Sequence, residues 1–560
     1  MRRLDPITLA VIENAFISTA EEMSAALIRS SYSPIIREML DASCAIFDGK
    51  GRLIAQAENI PAQLGFMNFA VRYILNSKGR SWFRPNDMII LNHPYYGGNH
   101  SPDIFLFYPV FYKNNLVSIC GNIAHHIDTG GAQPGTEGYD NNEIYQEGIL
   151  FPPMKLIEEG KPNEQLFELI KHNVRDPQST LGDLRAQIAS NKMGERHIVN
   201  LFAKHGTGKM ADYMDAILNH SERMAKADIE ALPDGEASAE GYLDDDGVNP
   251  DRPVKIAVHV AKKGSAVRVD FTGTDPQMKS GLNLPLSNAY SATYFAVRCL
   301  LDQNIPQNDG CYRTIEIVAP EGTVVNPKPP AAVAARHLTA QRQVDTLLKA
   351  LATLYPERLG AGSCTAFPTF VGEILNPETG QIGLVTDILG GGMGGRRGLD
   401  GLDGVDVYLS NCGLLPIEVC EMGSPVRIEA SELVPDSGGA GKYRGGLGIR
   451  RDYRILADSA YVNVYFDQGN PAFAAWGLLG GKLGAPAQAI VNVGTEREEH
   501  LTMLKAHLRL GYGDVFTMIS SGGGGYGDPR ERPPEMIRED IEDGKASPER
   551  ARLDYTFQSP

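Results

Sequence analysis

A divalent metal needs nitrogen and carboxylate donors that converge, and residues 92–131 hold such donors in two clusters. The first, HPYYGGNHSPD, contributes His93, His100 and Asp103; the second, HHIDTGG, contributes His125, His126 and Asp128. Between them lie two runs rich in aromatic and β-branched residues, 104–112 (IFLFYPVFY) and 116–123 (LVSICGNI), flanking Asn114 and Asn115. They predict a β-hairpin turning at the asparagines, which tolerate positive φ, and a hairpin brings its two ends together. Register decides which histidine meets Asp103. A two-residue loop sets Asp103 opposite His126; a three-residue loop or one β-bulge sets it opposite His125. Side chains alternate along a strand, so His125 and His126 do not serve one ion together. Taken singly, each histidine is equally well a hydrogen-bonded core residue. The pairing of H-x-x-D with HH-x-D at the two ends of one hairpin is what favours zinc, manganese or iron.

The surrounding elements follow from pattern. Residues 5–30 read as a helix, capped by Asp5, with Pro6 at its first position and an apolar stripe through Ile12, Phe16, Met23 and Leu27. Residues 41–57 read as a second hairpin, with Asp41 at the edge of an apolar strand, where a carboxylate needs a metal or an arginine such as Arg37. Glu143 and Glu147 fall in a Gly- and Pro-rich loop and read as exposed acids or substrate-loop residues. Residues 164–231 read as helical throughout, and Asp183, Arg185 and Gln187 read either as part of a capped polar helix beginning near Ser179 or as a polar cavity wall. Residues 233–275 alternate as antiparallel strands, with Asp244–Asp246 as a solvated turn. A helix is expected over 283–301, and 326–337 (NPKPPAAVAARH) as extended chain. The glycine-rich runs 388–404 and 521–528 match no nucleotide fingerprint, and GGAGKYRGG at 438–446 has Tyr443 where a phosphate loop needs Ser or Thr. Residues 533–555 read as two short charged helices, exposed or facing a partner.

Composition sets the outer bounds. With 560 residues, 42% of them apolar, the chain can bury a large core. A net charge of −16 argues against nucleic acid or an anionic membrane as partner. Seven cysteines without C-x-x-C spacing fit a reducing compartment, and the absence of any 18-residue apolar run argues against a membrane span. A cytoplasmic protein is expected. The fold class is α+β: a large multilayer body with antiparallel hairpins and helices around a metal centre, plus a β-rich C-terminal half. Three regions are expected: 1–231 as the α+β metal-site region, 232–530 as β-rich with helices, and 531–560 as a charged helical tail.

Several ordered segments resemble the hydantoinase B/oxoprolinase family: EMLDASCAIFD (38–48), GGNHSPDIFLFYPVF (97–111), AHHIDTGG (124–131), EIYQEGILFPPMKL (143–156) and NVRDPQSTLGDLRAQIA (173–189). FTGTDPQMKSGLNLPLSNA (271–289), NPKPPAAVAAR (326–336), DSGGAGKYRGGLGIRR (436–451) and SSGGGGYGDPRERP (520–533) extend the match. The resemblance implies a B-type subunit of an ATP-dependent hydantoinase, oxoprolinase or lactamase. ATP and magnesium would bind an A-type partner of actin-like fold in a hetero-oligomer, and the substrate would be a cyclic amide. It implies metal ligands at His100, Asp103 and His125, with Asp41 beside them, and so favours the odd hairpin register. His126 and Asp128 are left as residues behind the ligands or facing substrate. Relatives often have arginine or phenylalanine next to the aspartate where this chain reads MLDAS, a difference that bears on the pocket. An acetone- or acetophenone-type carboxylase component, using bicarbonate, is the alternative within the same plan. Outside it stand a non-haem iron oxygenase, whose usual H-x-D spacing differs from H-x-x-D, and a scaffold without chemistry of its own.

Overall fold

A computed structural model describes residues 4–376, 380, 382–502 and 504–557. Helix Pro6–Ser30 forms as its sequence dictates: Asp5 accepts the Thr8 N–H at 3.0 Å, and Ile12, Phe16, Ala20, Met23 and Leu27 are buried. The expected second hairpin is Ala42–Asp48 with Leu53–Gln56. These strands belong to a seven-stranded antiparallel sheet, ordered Leu53–Gln56, Ala42–Asp48, Asn115–His125, Asp103–Tyr112, Met88–Leu91, Met154–Glu158, Lys161–Pro162. Helices Pro6–Ser30, Pro177–His205 and Thr207–Glu230 pack on one face through Phe16, Met23, Leu184 and Phe202. Helix Gln63–Lys78 packs on the other through Phe66, against Phe105 and Phe107. Both faces are covered, so strand Ala42–Asp48 is buried at every position and is apolar at all but Ser43 and Asp48.

The stretch expected as helical throughout, 164–231, is three helices, the second starting at Pro177, close to the expected Ser179. Asn163 and Asp176 cap Glu164–Lys171 and Pro177–His205, and Gly206, at φ 80°, breaks the chain before Thr207–Glu230. A second sheet pairs Gly235–Leu243, Val254–Lys263 and Ala266–Asp270 antiparallel, with Ile315–Val318 added in parallel. Helices Leu286–Arg298 and Arg336–Leu354 share its core. The extended reading of 326–337 is too long by two residues, since the helix begins at Arg336: the last proline is Pro330, and its restriction reaches back only to the residue before it. The Asp244–Asp246 turn is buried, not solvated. Its carboxylates accept backbone N–H groups of Asn470, Gly247, Val248 and Asn249.

A third core lies between two further sheets, one of Thr369–Leu375, Ile382–Ile388, Ala460–Tyr465 and Leu504–Leu510, the other centred on Ile449–Ile455 and Val515–Ile519. Phe370 stacks on Tyr453 and Phe516 there, with ring centroids 4.6 and 5.5 Å apart. Beside this stack Arg451, 1% exposed, donates to Asp387 at 2.6 Å, and the Tyr453 hydroxyl donates to the same oxygen at 2.7 Å. Arg451→Met leaves that carboxylate buried without its cation, and the expected destabilisation is about 3–5 kcal/mol, read as a lowered denaturant midpoint. An unchanged midpoint would show that the pair contributes nothing net.

The glycine-rich runs serve backbone packing. A Cβ on Gly446 would sit 1.9 Å from the Leu402 carbonyl oxygen, and one on Gly523 would sit 2.1 Å from that of Met393. The two C-terminal helices, Pro534–Glu542 and Pro548–Tyr555, are exposed on one side only. Ile537, Ala551 and Tyr555 are buried with Ala440, and Arg532 bridges Asp400 and Asp540. Among the described residues, no helix is long and apolar enough to cross a membrane.

Candidate metal centre

The hairpin resolves the register. Its turn is Lys113–Asn114, both at positive φ (50° and 62°), one residue earlier than expected, so Tyr112 pairs with Asn115 and Phe111 with Leu116. The register then shifts, Val110 pairing with Ser118, so that Val117 is the extra residue of a bulge and Asp103 faces His125. Strand Ala42–Asp48 pairs on the other side of Asn115–His125, and the His125 N–H donates to the Asp41 carbonyl at 3.1 Å. Asp41, Asp103 and His125 therefore border one cavity of about 70 Å³.

His100 lies just before strand Asp103–Tyr112, fixed by a turn in which the Asp103 N–H donates to its carbonyl at 3.1 Å. Its Nε2 is 3.2 Å from Asp103 Oδ2, and its Nδ1 is buried with no hydrogen bond among the described residues. A fifth residue completes the cluster. Glu137 Oε1 is 3.2 Å from His125 Nε2 and 3.7 Å from His100 Nδ1. Ligand atoms of His100, His125 and Glu137 all lie within 4.8 Å of one another. Glu137 escaped the sequence reading because it sits in an irregular loop, without periodicity. The only signal is an acid between Gly135 and Gly138, shortly after the HHIDTGG segment.

Two further residues enter from helix Arg336–Leu354. Arg336 donates through Nε to Asn99 Oδ1 at 3.1 Å, and its Nη2 lies 2.9 Å from His100 Nε2 and 3.6 Å from Asp103. His337 lines the same cavity. Their position depends on Glu147, which is fully buried and not an exposed loop acid: its Oε1 accepts the N–H groups of Val333 and Ala334 at 2.6 and 2.7 Å. Glu143, by contrast, is exposed.

His126 and Asp128 stand apart from the cavity. The His126 ring points to the opposite face, with Nε2 3.0 Å from Gln187 Oε1 on helix Pro177–His205. Asp128 is paired with Arg175 at 2.9 Å and accepts the N–H groups of Gly130 and Arg175, so it clamps the loop that leads to Glu137. His93 stacks on Tyr96, with ring centroids 3.9 Å apart.

The cluster is rich in acids. Three carboxylates converge beside Arg336, the one permanently charged base among them. Burial raises Asp41 to about 6. On Glu137 burial works the same way, but His125, His337 and His100 hold it down at about 2. Asp103 is likewise kept below the ordinary carboxylate range, against its burial, by His100 and Arg336. Burial would lower His125, yet the hydrogen bond to Glu137 and the charges of Asp41 and Asp103 push it up to about 9. Burial, with Arg336 adding to it, lowers His100 to about 4. One imidazole is thus drawn into carrying positive charge for the acids around it, a role a divalent cation fills better. The donor types suit such an ion: the imidazoles of His100 and His125 and the carboxylate of Glu137, all three buried.

Comparison with known proteins agrees with this architecture. The sequence matches the hydantoinase B/oxoprolinase family over residues 5–529. It is 39% identical to an uncharacterized protein of Methanocaldococcus jannaschii, over 99% of this chain and 96% of that one. It is 34% identical to the B-type subunit of a candidate D-/L-hydantoinase of Pseudomonas sp., over 99% of this chain and 95% of that one. The crystal structure of the ATP-dependent caprolactamase from Pseudomonas jessenii superposes with a TM-score of 0.93 at 29% identity, covering 100% of this chain and 97% of that one. The chain is a member of the hydantoinase B/oxoprolinase family of enzymes.

Proposed function

We propose that this chain is the B-type subunit of an ATP-dependent cyclic-amide hydrolase, and that the cluster around His100 and His125 holds a divalent metal. The observation that carries the reading is the convergence of three buried side chains, His100, His125 and Glu137, two of which, His125 and Glu137, line one cavity. His100 and His125 are the nitrogen donors, and Glu137, Asp103 and Asp41 are the carboxylates available to the ion. A divalent cation there supplies Lewis acidity toward an amide carbonyl. The chain's own residues prepare the site. Asp103 and Arg336 flank the His100 ring, Glu147 fixes the segment bearing Arg336, and Ile60, Phe66 and Phe367 give the cavity an apolar lining.

ATP and magnesium belong, in this reading, to an A-type partner of actin-like fold in a hetero-oligomer. Support comes from the sequence, which has no phosphate loop, and from the ATP-dependent caprolactamase it resembles. A cytoplasmic location accords with seven free cysteines, one of them exposed. The test is co-expression with an A-type partner and assay of a hydantoin, 5-oxoproline and a lactam, with ATP, with and without bicarbonate. Ring opening tied to ATP, falling at least 100-fold on chelation and restored by zinc, manganese or iron, is expected. Carbon incorporation into a ketone with bicarbonate would move the chain to the carboxylases. Oxygen uptake with iron and no ATP would make it an oxygenase, and full activity without metal would overturn the metal assignment.

A further inference from the structure

The cavity beside the metal cluster has unsatisfied hydrogen-bonding groups whose donor and acceptor character is set by their neighbours. His337 Nδ1 lies 3.0 Å from Arg336 Nη1. A guanidinium only donates, so this nitrogen accepts, and the neutral ring must carry its proton on Nε2. That Nε2 is buried and has no partner among the described residues. The ring is held by Phe367 and Tyr465, with centroids 5.0 and 5.2 Å away, and Phe367 adopts a left-handed backbone (φ 45°) uncommon for an aromatic residue.

Two acceptors belong to residues that line the same cavity, and carboxylates fix both. Asp103 takes the Asn99 Nδ2 donor at 2.5 Å, which turns Asn99 Oδ1 toward Asn288 Nδ2 at 2.6 Å. Asn288 is thereby left with a free Oδ1. Asp41 takes the Gln63 Nε2 donor at 3.1 Å and leaves Gln63 Oε1 free. Asn288, Gln63 and His337 all line the cavity, and each of the three atoms is buried without a partner among the described residues. Buried polar atoms without partners are costly, and a cavity that presents one N–H donor with carbonyl acceptors is complementary to a ligand with the converse pattern.

We infer that this cavity recognises the unsubstituted –CO–NH– edge of a cyclic amide. The His337 Nε2–H donates to its carbonyl oxygen, and Asn288 Oδ1 or Gln63 Oε1 accepts from its ring N–H. The inference rests on the cyclic-amide reading and sharpens it, since a ketone presents the oxygen but lacks the N–H. A site built to hydrogen-bond a polar group discriminates strongly against the analogue lacking it.

The test measures binding, without turnover. The full chain, complexed with its A-type partner and without ATP, is titrated calorimetrically with 2-piperidone, N-methyl-2-piperidone and cyclohexanone. The expected result is at least a 10-fold preference for 2-piperidone over both of the others. His337→Phe, which keeps the ring packing and removes the donor, should weaken all three about 10-fold, whereas His337→Gln, which keeps an N–H, should weaken them less. Gln63→Met or Asn288→Leu should erase the preference over the N-methyl compound. Equal binding of the three ligands, no binding of any, or unchanged affinity in a folded His337→Phe protein would overturn the inference. The preference of the wild-type complex needs no variant to fold. Ring opening without that preference would leave the functional reading standing and remove this one; the preference without ring opening would do the reverse.

Discussion

Replacing His125 by alanine in the assembled enzyme is expected to lower ATP-dependent turnover by about 10³-fold or more and to empty the metal site, while the chain stays folded. The strand explains the last part. Asn115–His125 is paired on both sides, to Asp103–Tyr112 and to Ala42–Asp48, and His125 is its last residue, so the ladder survives truncation of one terminal side chain. The site does not survive it. His125 is the group that touches Glu137 at 3.2 Å, and without it three carboxylates lose a positive neighbour and the proposed ion loses a ligand. Loss of a residue behind a metal ligand typically costs about 10- to 100-fold, and loss of a ligand costs more. Metal content by elemental analysis, turnover, and the thermal midpoint together decide the matter. A His125→Ala enzyme with full metal content and full activity would remove His125 from the site. His126→Phe is the neighbouring control. Its ring lies on the opposite face against Gln187, so the expected loss is in stability, with metal content retained.

The contrast between these two adjacent histidines shows what could be read from the sequence. Strand alternation required them to face opposite ways, and the β-forming runs required the hairpin. Which of them faced Asp103 depended on a single extra residue, Val117, and on a turn centred at Lys113–Asn114. Bulges leave almost no trace in composition, so residue pattern left both registers open and only the family resemblance pointed to His125. The long-range partners were beyond local pattern altogether. Glu137 belongs to an irregular loop. Arg336 and His337 arrive from far downstream, after a proline-rich segment that reads as extended, because a buried glutamate at 147 anchors Val333 and Ala334. Glu147 itself looked like an exposed acid for the same reason. Burial of a charged side chain is decided by tertiary partners, and those partners are backbone amides with no residue-type signature.

The same logic makes Arg336→Met the second large effect, expected at about 10²- to 10³-fold in turnover. Arg336 reaches four polar side chains at once: Nε to Asn99 Oδ1 at 3.1 Å, Nη2 beside His100 Nε2 at 2.9 Å and Asp103 at 3.6 Å, Nη1 to His337 Nδ1 at 3.0 Å. Removing it deprives Asp103 of a cation that helps keep it ionised and frees the His100 and His337 rings to change tautomer. Arg336→Lys should recover little, because an ammonium carries the charge but not the planar fork that reaches four partners in fixed directions. The measurement is kcat and KM for both variants in the assembled enzyme, with metal content and thermal midpoint alongside. A lysine variant near wild-type activity would mean that only charge matters at this position. A methionine variant keeping more than about half the activity would mean that Asp103 and Asn99 hold His100 without help, and that the guanidinium is a structural filler at the head of its helix.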